Sequence, residues 1–204
     1  MSSSGDDETW ATRVREICVR WNEAEGMIKV AEQVNGEIIN PAIYELRYAG
    51  RRIVEALKCH EEGDIDKRNN LLHDADFDCC RAKHDAIDAI TAKVANDMAL
   101  ATKKLGEDNV LQHFPNITKM YRTIKSVRSK IKISREDREN RDAIYETLGA
   151  GDIPELVELY EEFLGSEDLL KAAARKNMIG RNVAYVVTGL SLVIEAFSTW
   201  VGLF

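Results

Sequence analysis

The sequence predicts an all-α protein: an antiparallel bundle of long helices with a C-terminal transmembrane helix. Three observations carry that prediction. Apolar residues recur at steps of three and four along most of the chain, as in helices with one buried face. Only three prolines interrupt the 204 residues, at Pro41, Pro115 and Pro154. The last 22 residues, 183–204, carry one formal charge, at Glu195. No stretch of consequence alternates with the period of a strand.

In chain order, the opening MSSSGDDETW is polar and acidic and has no apolar signal core. Residues 1–7 are expected to form a disordered tail. Trp10, Val14, Ile17, Trp21, Ala24, Ile28 and Ala31 mark a first helix that stops at Asn35-Gly36. Asn40 caps a second helix with Pro41 in its first position, where the missing N–H is harmless. Its stripe is Ile43, Leu46, Gly50, Ile53 and Leu57, and the small pair Ala49-Gly50 admits a close neighbour. Gly63 ends this helix and Asp64 caps a third, over about residues 65–104. Leu72, Ala75, Cys79, Ala82, Ala86 and Ala89 give the third helix an alanine-rich seam, continued by Ile90, Val94 and Met98.

Residues 106–115 read as a connection with room for one helical turn. Asn116 caps a fourth helix with the stripe Ile117, Met120, Ile124, Val127 and Ile131. The run REDRENRD after it is an exposed continuation or a hinge. Gly149-Ala150-Gly151 reads as a break, and Asp152-Ile153-Pro154-Glu155 as a capping box opening a helix through Leu156, Leu159, Tyr160 and Phe163. The organisation predicted is a cytoplasmic helical bundle over 8–165, a basic juxtamembrane helix over 166–182 and a transmembrane helix over 183–204.

A net charge of -7 and a pI near 5.2 argue against a wholesale nucleic-acid binder. Cys18, Cys59, Cys79 and Cys80 lack the spacing of a disulfide frame or a zinc ribbon, which suits a reducing compartment. No cofactor is implied.

The terminal segment is apolar nearly all round, whereas every earlier helix keeps a charged face. That pattern fits a bilayer better than the core of a bundle of this size. Lys171, Arg175, Lys176 and Arg181 precede the segment and no charge follows it. By the positive-inside rule the N-terminal domain stays in the cytoplasm, with a single pass through the inner membrane. Tyr185 and Trp200 lie near the two interfaces, and the whole resembles a tail-anchored protein.

A central Asp costs about 2.5–3.5 kcal/mol to insert, and Glu195 is comparable. Thr188, Ser191, Glu195, Ser198 and Gly202 step by three and four, which places them on one stripe. A lone span has no partner for that stripe, so self-association is expected, with membrane lipid around the assembly. In a large assembly Glu195 forms a ring around a pore; in a small one, protonated Glu195 hydrogen-bonds between helices.

The densest chemistry lies in KRNNLLHDADFDCCRAKHD, residues 67–85. Arg68-Asn69-Asn70-Leu71-Leu72-His73 resembles the motif of the HEPN superfamily. The resemblance implies a metal-independent ribonuclease in which Arg68, Asn69 and His73 act on a ribose hydroxyl and its phosphate. It also implies membrane-anchored accessory or effector proteins of prokaryotic antiviral defence, CRISPR-associated systems included, with RNA or a defence-system protein as partner. On an ideal helix Arg68 and His73 lie about 140° apart, so a shared site needs a distorted turn or a dimer partner. The residues alone also allow a solvated Arg68 and a buried His73 beside Leu72.

Asp76, Cys80 and His84 follow one another at steps of four, with His73 a turn earlier, a metal-ligand spacing that one straight helix cannot complete. Lys119, Arg122, Lys125, Arg128, Lys130, Lys132 and Arg135 follow without an acid between them. They complement the acidic helices, meet anionic headgroups or meet RNA phosphate. Only Tyr121 is interleaved, so sequence-specific reading of RNA is not supported.

Overall fold

The computed structural model of the chain describes residues 3–166, 168–172 and 175, with side chains from Thr9 onward. Every regular element among the described residues is helical. The helices are α1 (Ser3–Asn35), α2 (Asn40–Glu62), α3 (Ile65–Leu105), α4 (Glu107–His113), α5 (Ile117–Glu136) and α6 (Arg141–Thr147). A π-helical turn, Leu148–Asp152, leads into α7, residues 153–166. No helix among the described residues is long and apolar enough to cross a membrane. The expected transmembrane segment, 183–204, lies outside the described residues, as do Thr188, Ser191, Glu195, Ser198, Gly202, Lys176 and Arg181.

The described residues divide into two compact units, one from within 1–97 and 119–160, the other from 98–118 and the described residues after 160. In the first, the predicted stripes supply the core. Ile17, Ala24, Ile28 and Ala31 of α1 are buried, as are Leu72, Ala75, Cys79, Ala82 and Ala86 of α3 and Met120, Ile124, Val127 and Ile131 of α5. Leu156, Leu159 and Tyr160 close it from α7. In the second unit Val110 of α4 is fully buried, Phe114 meets Phe163 edge-on at 5.5 Å between centroids, and Asn116 donates to Glu162 at 2.6 Å.

The chemistry of the helix ends is local. Gly36 and Gly63 adopt φ of 70° and 76°, a left-handed conformation that only glycine enters without strain, and each stops a helix. The Asp64 side chain accepts the Lys67 N–H at 3.2 Å and so caps α3 as expected.

Several boundaries differ from the sequence reading. Helical backbone begins at Ser3, inside the expected tail 1–7. The cap position of α2 is Ile39, one residue before Asn40. On α2 the buried face is Ala42, Leu46, Ala49, Ala56 and Cys59, while Ile43 and Leu57 of the predicted stripe are exposed. Residues 107–113 form a helix of seven residues within the expected connection, longer than the single helical turn that reading allowed. Asn116, the residue just before α5, donates its side-chain amide to Glu162 at 2.6 Å.

Gly149-Ala150-Gly151 does not break the chain; it forms the π turn. A Cβ at Gly149 would sit 3.4 Å from the side-chain ends of Met27 and Lys83, so α1 and α3 pack closely against this turn and keep it helical. Asp152 pairs with Lys130 at 2.7 Å instead of forming a capping box. The run REDRENRD ends α5, bends over residues 137–140 and opens α6, the bend closed by Asn140, whose backbone and side-chain N–H groups donate to Asp137.

Candidate functional site

Arg68 is buried at 2% exposure, and α3 turns it toward the end of α2. Its Nη1 meets Nδ1 of His60 at 3.1 Å, and its Nε and Nη2 donate to Oδ1 of the adjacent Asn69 at 3.1 and 3.0 Å. The guanidinium lies 5.3 Å from the ring centroid of Trp10 on α1, and Trp10 stacks on His60 at 4.7 Å. A guanidinium has no lone pair to offer, so Nδ1 of His60 must accept.

His73 is exposed, one turn beyond the side chains that hold Arg68. Arg68 and Asn69 are thus brought together, while the histidine on Arg68 is His60. Burial runs opposite to the option the residues alone allowed, with the arginine inside and His73 outside. The signal for His60 was absent from the motif because its partner comes from another helix, eight residues upstream and across the Gly63 turn.

Further along α3, polar residues join helices instead of forming an open reactive centre. Asp78, 2% exposed in its side chain, is paired with Arg52 of α2. Asp76 pairs with Arg20 of α1 at 2.8 Å, and the same arginine reaches Sγ of Cys80 at 3.3 Å. Burial pushes the Cys79 and Cys80 thiols up to about 12 and about 11, so both are held protonated and are poor nucleophiles at neutral pH. Lys83 bridges Glu23 of α1 at 3.1 Å and Glu146 of α6 at 2.7 Å.

His84 stacks on Tyr145 at 3.8 Å. Burial above all, and then the charges of Arg141, Lys83 and Arg81, push it down to about 4. It is therefore neutral at pH 7, and its 3.4 Å approach to Asp142 is not an ion pair there. Tyr145 donates to Asp88 at 2.8 Å, and Arg135 of α5 reaches the other oxygen of that carboxylate at 3.1 Å. These groups line a polar cleft of about 430 Å³, which periodicity alone did not reveal. Asp76 and Cys80 both turn to Arg20, while His84 turns to Tyr145 and Asp142. Among the described residues no three His, Cys, Asp or Glu side chains gather as a metal site.

The basic run divides by helix face. Lys119 pairs with Glu155 at 2.9 Å, Lys130 with Asp152, and Arg135 with Asp88. Arg122, Lys125 and Arg128 are exposed, and Lys132 meets Glu136 of its own helix at 3.9 Å. Lys171 and Arg175 of the flanking basic group are exposed as well. One edge of α5 therefore serves the fold, and the outer face presents positive charge to solvent.

No protein-family model, curated protein or solved structure matches the chain.

Proposed function

We propose that this chain is a membrane-anchored helical protein that self-assembles through residues 183–204 and acts on the bilayer as a scaffold or a permeabilising pore. The observation that carries the reading is the 22-residue apolar run with its one acid, Glu195, on the stripe of Thr188, Ser191, Ser198 and Gly202. Two further features support it. The exposed face of α5, with Arg122, Lys125 and Arg128, suits anionic headgroups, each nearby Lys or Arg adding about 1 kcal/mol at the surface. The exposed Lys171 and Arg175 lie on the N-terminal side of the run, as flanking charges of a cytoplasmic domain do. A setting in antiviral defence rests on the resemblance at Arg68, Asn69 and His73 alone.

Membrane association is tested by alkaline carbonate extraction of cells expressing the full chain. The chain is expected to stay in the membrane pellet, and Val193→Arg with Ile194→Arg to release it. Release of the unmodified chain by carbonate refutes the anchor.

The second reading, a tethered HEPN-like ribonuclease, has less behind it. Arg68 is shielded and held by His60, Asn69 and Trp10, away from an exposed His73.

A further inference from the structure

We infer that the polar cleft beside His84 and Tyr145 binds a small zwitterion, whose ammonium pairs with Asp85 and whose carboxylate pairs with Arg141. All the residues lining this cleft of about 430 Å³ belong to the first unit. Its charges balance in sign, with Glu45, Asp85 and Asp88 against Arg81, Arg135 and Arg141. Most of them are met by the protein itself. Asp88 takes Arg135 at 3.1 Å and the Tyr145 hydroxyl at 2.8 Å. Glu45 has Arg81 at 3.9 Å.

Two groups of opposite sign are left over. Asp85, half-buried on α3, has no ion pair or hydrogen bond among the described residues. Burial above all, and then the charge of Asp88, raises its carboxyl above the ordinary range, against the pull of Arg81. A cation brought beside it offsets both penalties. Arg141, half-buried at the start of α6, donates Nε to the Ser134 carbonyl at 3.1 Å and has no carboxylate partner among the described residues. That bond holds the guanidinium in place and leaves its Nη groups for a carboxylate. No ion pair joins Asp85 to Arg141, although both line the same cleft. Each bears the cost of lost hydration without a partner. A cation alone leaves Arg141 unmet, and an anion alone leaves Asp85 unmet, so the occupant that satisfies both carries one charge of each sign. His84, neutral at pH 7 and stacked on Tyr145, lines the cleft as well and offers an uncharged ring to the carbon chain between the two ends.

The site is separate from residues 183–204, and its test applies whether or not they anchor the chain. Titration calorimetry is run on the full chain in detergent at pH 7. The probes are glycine, γ-aminobutyrate and ε-aminohexanoate, in order of increasing separation of their charges. At least one is expected to bind saturably, and roughly tenfold or more tightly than its matching amine or its matching carboxylate. No saturable binding by any of the three overturns the proposal. So does equal binding of the zwitterion and either singly charged analogue, a comparison that needs no variant.

Substitution then assigns the two ends. Asp85→Asn is expected to lower the affinity for the zwitterion to that of the matching carboxylate, and Arg141→Gln to that of the matching amine. Zwitterion binding that survives both substitutions unchanged overturns the assignment to this cleft. The fold gives a control of its own. An unpaired, half-buried carboxylate is a cost to the empty protein, so Asp85→Asn is expected to hold or raise the denaturant midpoint. A lowered midpoint would mean that Asp85 has a structural partner, and that also overturns the proposal.

Discussion

His84 makes the stability of the protein depend on pH through a single ring. Its value of about 4 in the fold lies below its ordinary 6.5. As pH falls below 6.5, the unfolded chain takes up a proton that the folded chain refuses until about 4. The stabilisation is therefore complete above pH 6.5 and is lost as pH falls from there toward 4. Urea unfolding at pH 7 and pH 5 is expected to differ by about 2 kcal/mol from this group. His84→Gln is expected to flatten most of that difference, and an equal difference in the variant would show that other groups cause it. Arg68 and His73 give a contrast at the same scale. Arg68→Ala leaves a hole beneath Trp10 and His60 and is expected to cost about 2–4 kcal/mol, whereas His73→Ala should stay within about 0.5 kcal/mol. If His73→Ala also abolishes a ribonuclease activity, the second functional reading gains its missing support. The pairing of Arg68 with His60 was not legible in the sequence, because a motif spacing records neighbours along one helix and this partner comes from another.

Helix α2 shows why periodicity identifies an element more surely than its direction. Apolar residues lie on both of its sides, so the stripe through Ile43 and Leu57 looked like the core face. The small residues Ala42, Ala49 and Ala56 hold that place, because they let neighbouring backbones approach. Gly149 is the reverse case, a glycine pair that looked like a break and is held helical by tertiary contact. Gly149→Ala is expected to be tolerated within about 1 kcal/mol, because its Cβ would make ordinary contact with the ends of Lys83 and Met27. Gly149→Leu is expected to cost about 1–3 kcal/mol by overpacking between α1 and α3. Denaturant midpoints of the two variants decide this, and equal tolerance of leucine would mean that the turn is looser than its packing implies. Helix ends governed by local chemistry, such as Gly63 and Asp64, were legible because their partners lie within one turn.

For the molecule as a whole, the all-α bundle follows from the stripes of α1, α3, α5 and α7, whose predicted residues form most of the core. The division into two units was not legible, since α3 and α5 run through both segments of sequence without a breaker at the boundary. The surface of the described residues adds a positive face on α5, and the tail adds the apolar run with Glu195. Assembly at the membrane is the claim that joins them. Its most direct test is the native mass of the full chain purified in detergent, compared with that of Glu195→Leu. The account predicts an assembly of several chains that falls to a smaller species when Glu195 is replaced. An unmodified chain whose mass is the same as that of the Glu195→Leu variant would contradict it.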